Sequence, residues 1–358
     1  MDEYLAKLSL AAFARDRLHA LLERVDREWR RCAECSDSDA VHDFRVSLRR
    51  FGETLRLFKD LMPKTGCKQV RSERRQIMQL AGRTRDVDIA REMFVYSDIA
   101  IPSDLDNFLA TERAIAEAAL RASLAVGLAT SFQRRWESAL ELDSAEYLNP
   151  AEALPSRDRE GVVWRSAETS AANAQRVLPG LLEGYCHKGE KLAIEGVKAA
   201  KLHELRLGAK HLRYALEIFR PVYGRKMDIL LANMKESQTD LGEISDCTAT
   251  IAWLKEKKIV RRPEGQHLRG YLEHRAAKGV TKFVNYWRDH FGFPAFYEHW
   301  IRYLKIYAGR VPPNRRKQPI VDAAAADDQL AIPAILSQAA EISDNGVSEP
   351  YSGVRNPR

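Results

Sequence analysis

Long apolar runs are missing from this 358-residue sequence: no stretch of 18 or more apolar residues occurs, which speaks against a transmembrane helix. The opening MDEYLAKLSL never develops the apolar core of a secretory signal, so a cytoplasmic location without membrane insertion is expected. Cysteine is also scarce. Five residues without regular spacing do not suggest a disulfide framework and fit a reducing compartment. Cys32-Ala-Glu-Cys35 is a lone CxxC with no second CxxC or suitably spaced Cys/His pair after it, so it reads as structural rather than as half a zinc site. Sustained alternation of apolar and polar residues is absent too, which leaves an all-α fold class. No Walker loop, Ser/His/Asp arrangement or carboxylate cluster for two metals is found, so neither a cofactor nor catalysis is expected.

What the chain does have is helical periodicity and positive charge. At 45% hydrophobic content it can bury a sizeable core, and 57 Lys/Arg against 50 acidic residues give a net charge of +7. Residues 1–30 read as one helix. A turn follows at ECSDSD, with Asp39 expected to cap the helix that carries Val41 onward. Met62–Gly66 breaks that helix. Helical patterns resume over Val70–Ala81, 87–96 and 104–139, and the proline-containing stretch 149–160 is expected to link a first half (about 1–148) to a second (about 161–308). In the second half, helices are expected from Val162 to an interruption near Pro179, from Leu181 to Phe219, and over 226–241, 245–256 and 264–305. Beyond Arg310 the basic, proline-rich VPPNRRKQP leads into an Ala/Asp-rich tail, so 309–358 reads as disordered apart from a short helix near Gln329–Ala340.

Two basic helices stand out. VHDFRVSLRRFGETLRLF (41–58) and KLHELRLGAKHLRYALEIF (201–219) align at an offset of 161 residues, matching His42 with His203, Arg45 with Arg206, Arg49 with Lys210, Leu55 with Leu216 and Phe58 with Phe219. The chain therefore reads as two related halves with an internal repeat. At roughly 100° per residue, His42, Arg45, Arg49 and Arg56 share one arc, opposite Phe44, Leu48, Phe51, Leu55 and Phe58. His203, Arg206, Lys210 and Arg213 do the same opposite Leu205, Ala209, Leu212, Leu216 and Phe219. Each helix can thus anchor one face and present cations on another, over roughly 21 Å from His42 to Arg56. Residues 41–85 hold twelve Lys/Arg against four acidic residues, an excess larger than that of the whole chain. Arg71, Arg74, Arg75, Arg83 and Arg85 extend it. Such a mixture of arginine forks and compact lysine charges suits a repetitive phosphate chain. Asp86, Asp88 and Asp246 are expected to orient arginines rather than to bind metal. Nucleic acid, whose backbone phosphates would feel the same field, is the less favoured ligand because no aromatic stacking ladder accompanies the cations. A metal-dependent phosphohydrolase and an acidic-protein scaffold remain further alternatives.

The pattern His42-Asp-Phe-Arg-Val-Ser-Leu-Arg-Arg50, its partner Leu202-His-Glu-Leu-Arg206 with Lys210-His-Leu-Arg-Tyr214, and Gly82-Arg-Thr-Arg-Asp-Val-Asp88 resemble the CHAD family, the "conserved histidine α-helical domain". The resemblance spans about residues 1–308. It implies two bundle-like halves around a basic central pore or groove and binding of inorganic polyphosphate, with granules and granule proteins as possible cellular partners. It carries the family's binding residues to His42, Arg45, Arg49, Arg50, His203, Arg206, Lys210 and Arg213. Gly52 and Gly208 depart from the family's longer side chains, and the missing cation at Gly52 leads one to expect the stronger contribution from the second half. The Glu/Lys alternation of the CYTH-type triphosphate domains often fused to such chains is absent.

Overall fold

The computed structural model describes residues 2–143, 156–157 and 163–310, and among these eleven α-helices carry the architecture. They are α1 (Glu3–Lys7), α2 (Leu10–Glu34), α3 (Ser38–Leu57), α4 (Lys64–Tyr96), α5 (Ser103–Ala129), α6 (Phe132–Ala139), α7 (Ser170–Leu192), α8 (Ala199–Tyr223), α9 (Met227–Glu256), α10 (Pro263–His290) and α11 (Pro294–Ile306). Two short strands, Ser156–Arg157 and Val163–Trp164, form an antiparallel pair. The fold is all-α, as the missing alternation implies. Most of the expected linker and the tail from 311 onward, including the segment Gln329–Ala340, lie outside the described residues; Gly309, read with the disordered tail, is instead ordered, its N–H donating to the Val222 carbonyl at 3.0 Å.

Several helix boundaries differ from the sequence reading, each for a local reason. The first helix is split at Leu8 and Ser9: the Ser9 hydroxyl caps α2 by accepting from Ala12 N, while Leu10 N bonds the carbonyl of Glu168. The cap of α3 is Asp37, whose carboxylate accepts from Ala40 N at 2.7 Å, and Asp39 sits within the first turn. That bond and the Cys35 thiol hold the Asp37 carboxyl below its usual pKa. Asp37→Ala is therefore expected to lower the unfolding temperature by roughly 2 °C and Asp39→Ala to leave it unchanged. Equal losses in a thermal melt would return the cap to Asp39.

α4 runs unbroken through Gly82, and α9 through Gly242, because buried residues on either side outweigh the cost of one helical glycine. Pro179 likewise fails to interrupt α7: Val177, Leu178, Leu181, Leu182 and Tyr185 are buried around it, enough to offset its missing hydrogen bond. The break comes instead at 193–198, where Gly196 takes a φ of 73°. α8 continues past Pro221 to Tyr223 and ends at Gly224. The segment expected at 264–305 divides into α10 and α11.

α2 packs on α3, α3 on α4 and α4 on α5, and the same order of neighbours recurs as α7 on α8, α8 on α9 and α9 on α10. The two series meet where α3 lies against α8 and α4 against α9. Both apolar arcs read from the sequence are buried: Phe44, Leu48, Phe51, Leu55 and Phe58 on α3 and just after it, and Leu205, Ala209, Leu212, Leu216 and Phe219 on α8. Phe58 and Phe219, aligned in the sequence, touch each other edge-on at 6.1 Å, with Phe13 stacked on Phe219 at 4.9 Å and Trp164 at 5.8 Å. A second apolar cluster joins Val87, Met93 and Phe94 of α4 and Leu105 and Leu109 of α5 to Cys247 and Leu254 of α9 and Leu268 and Leu272 of α10. No single described helix is long and apolar enough to cross a membrane. The bent pair α5 and α6 reaches that composition jointly, and its Leu105, Leu109, Leu120, Leu124, Phe132 and Trp136 are buried in the core.

Candidate polyanion site

Apolar clusters around Phe58 and around Phe94 flank a stretch of charged residues. Along α3, Arg45 stands about 19 Å of helix from Phe58. The residue it packs on, Gly82, stands about 18 Å of α4 from Phe94. Along their facing stretches α3 and α8 carry Arg45, Arg49, Arg206 and Lys210, close enough for their charges to act on one another.

The four form one electrostatic neighbourhood. Burial pushes the Arg45 guanidinium down to about 10, with Arg49 and Arg85 adding repulsion and Asp86 and Asp246 opposing it. The Lys210 ammonium falls further, to about 7, through burial first and then the fields of Arg49, Arg206 and Arg45, against which Asp246 gives partial relief. Arg206 is lowered by burial and by Arg49, while Asp246 holds it at 3.5 Å. Its buried Nε has no hydrogen-bond partner among the described residues. Burial raises the Asp86 carboxyl despite the pull of Arg45. Cations from two helices 161 residues apart thus share too few counter-charges, and each makes its neighbour's charge costlier. An anion bound among them would relieve that cost.

Two glycines shape the basic surface. Arg45 Nη1 donates to the carbonyl of Met78 at 3.3 Å and lies over Gly82, where a Cβ would come within 3.0 Å of it. At Gly52 the guanidinium of Arg74 reaches in from α4, and a Cβ there would meet Arg74 Cζ at 2.4 Å. Gly52 is therefore not a missing cation: the neighbouring helix supplies one, lowered by burial and steadied by Glu53, its buried Nε without a hydrogen bond among the described residues. Its counterpart Arg213 is committed elsewhere, donating to Gln238 and Glu217 and stacking 4.8 Å from the Tyr214 ring. The expectation of a stronger second half loses its basis.

The remaining predicted residues divide. Arg50 lies 3.7 Å from Glu217. Arg56 donates to the His211 ring and to Glu53 at 3.0 Å; burial pushes the Glu53 carboxyl up, but His211 and Arg56 more than reverse this. These groups stitch α3 to α8 instead of facing outward together. Arg85 is neutralised by Glu92 at 2.8 Å and bonds Ser38. Asp88 holds Arg113 of α5 at 3.0 Å, so it orients an arginine, though not one of the site. Arg83 is exposed, and Arg71 and Arg75 line a separate cleft at the start of α4. His42 and His203 each occupy the fifth position of their helix and are exposed; among the described residues neither has a hydrogen bond or ion pair. His211, Gly52 and Gly82 carry structural roles that the repeat alignment passes over, since alignment compares matching positions and these act across helices. Among the described residues no group of three or more His, Cys, Asp or Glu is placed to hold a metal ion.

The fold has known counterparts. The crystal structure of the CHAD domain from the plant Ricinus communis superposes with a TM-score of 0.59 at 20% identity, covering 80% of this chain and 93% of that one. PptA from Streptomyces chartreusis superposes at 0.53 with 16% identity, covering 78% and 99%. No curated protein matches the chain by sequence. The CHAD domain profile matches residues 11–255, and the chain belongs to the CHAD domain family.

Proposed function

We propose that this CHAD domain binds inorganic polyphosphate between α3 and α8, without catalysing a reaction on it. The observation that carries the reading is the convergence of Arg45, Arg49, Arg206 and Lys210 from two helices on one neighbourhood whose local carboxylates, Asp86 and Asp246, leave it short of negative charge. A linear polyanion supplies that charge repeatedly and needs no base recognition. It can also meet both walls at once, so a long chain gains from each additional contact where orthophosphate does not. Backbone phosphates of nucleic acid would be attracted by the same field. They are spaced by sugars, however, and among the described residues no ladder of aromatic rings accompanies the four cations to hold bases. The same reading expects the protein at polyphosphate granules in cells that accumulate them, alone or beside granule proteins.

The deciding experiment is side-by-side titration with long polyphosphate, tripolyphosphate, single-stranded RNA and duplex DNA at matched salt. Long polyphosphate is expected to bind most tightly, and raising the salt should weaken it through ion competition. RNA or DNA binding at equal or higher affinity would overturn the assignment of ligand. Equal affinity for tripolyphosphate and the long chain would reduce the site to a single small pocket.

A further inference from the structure

At the start of α4, Lys64, Lys68, Arg71 and Arg75 line an open cleft of about 430 Å³ together with Lys59 and Asp60 of the preceding turn. The one carboxylate lining it, Asp60, lies 3.9 Å from Lys59. The other four cations are exposed, and among the described residues none of them has a hydrogen bond or ion pair. Farther along the same helix Arg85 is matched by Glu92 and Arg91 by Asp106, and Arg74 reaches over Gly52. An exposed row of cations can be ordinary solvated surface. Here the row is unmatched among the described residues, concave and in line with the central cations.

The alignment follows from spacing. Lys64, Lys68, Arg71 and Arg75 fall within an arc of roughly 60°, and Gly82, five full turns beyond Lys64, returns to the same bearing. Gly82 is where the Arg45 guanidinium lies after crossing from α3. One line along α4, about 27 Å long, therefore runs from the cleft to the central cations, with Arg45 belonging to both. The beginning of α4 adds to the attraction: among the described residues it has neither a side-chain cap nor an acidic residue in its first turn, so the positive end of its dipole favours an incoming anion.

We infer that this row is a second arm of the polyphosphate site, along which one long chain continues from the central cations over Arg45 to the cleft at the start of α4. The inference rests on the proposed function and adds to it a path and a chain-length requirement.

The test uses the full chain with Lys64→Gln, Lys68→Gln, Arg71→Gln and Arg75→Gln combined, titrated with long polyphosphate and with tripolyphosphate. Affinity for the long chain is expected to fall about tenfold, and the slope of log K against log salt to become shallower, because fewer counterions are released. Tripolyphosphate binding should change by less than about twofold. Unchanged long-chain affinity and slope here, alongside lost binding in a variant of the central cations, would overturn the arm and leave the proposed function standing. Equal losses for both ligands would make the cleft an independent short-anion site and overturn the continuous path. If substituting the central cations leaves long-chain binding intact, the proposed function falls and the arm falls with it. Circular dichroism checks that the variant is folded.

Discussion

Replacing Arg45, Arg49, Arg206 and Lys210 together with glutamine is expected to weaken long-polyphosphate binding by about a hundredfold or more. Charge-assisted hydrogen bonds contribute roughly 1.5–3 kcal/mol each when formed in place of water. Even with strong non-additivity, losing four such donors removes about 3 kcal/mol, the equivalent of that factor. Each pair alone, Arg45 with Arg49 or Arg206 with Lys210, should give an intermediate loss. The two losses should be similar, because Arg74 fills the space over Gly52 while Arg213 is held by Gln238 and Glu217. The fold should survive. Glutamine has good helix propensity, and removing mutually repelling, desolvated cations takes away an unfavourable term, so the unfolding temperature should stay level or rise. Calorimetry with a uniform long chain, accompanied by a thermal melt, separates the two effects. A change in affinity below about threefold in a folded variant would show that the principal ligand site is elsewhere.

Much of this arrangement was legible in the sequence because a helix converts spacing directly into faces. The apolar arc of α3 is buried as its 3.6-residue period requires, and Phe58 and Phe219, aligned in the sequence, touch in space. Boundaries were harder to read. A proline or glycine reports only a local preference, and burial around Pro179 and Gly82 overrides it. The site was legible in its residue types more than in their roles. Spacing on one helix cannot tell that Arg56 turns to His211, or that Arg74 crosses to α3 while Arg71 and Arg75 line a cleft. Those assignments depend on which side chain the neighbouring helix offers, and a repeat comparison contains no such information.

The remaining large effect is on pH dependence, through Lys210. In the free protein its ammonium is brought down to about 7 by burial and by Arg49, Arg206 and Arg45, well below the usual lysine value of about 10.4. A bound polyanion reverses the repulsive part of that balance and favours the charged form, so binding draws a proton onto Lys210. Affinity should therefore be nearly flat below pH 7 and fall as the pH rises above it, by about tenfold between pH 6 and pH 8 if the proton is fully regained. The free protein should show the opposite trend in stability. Between about 7 and about 10.4 the unfolded chain keeps a proton that the folded chain has shed, so this residue's contribution to stability rises with pH. Two substitutions isolate the group from the ionisation of the ligand's own end phosphates. Lys210→Arg keeps its charge across the range and should flatten the affinity profile while retaining tight binding; Lys210→Gln should flatten it at lower affinity. Calorimetry at pH 7.5 in buffers of different ionisation enthalpy should register proton uptake by the wild type and little by either variant. Equal uptake in all three proteins would place the titrating group in the ligand, and a wild-type profile that Lys210→Arg leaves unchanged would exclude Lys210 as the source of the pH dependence.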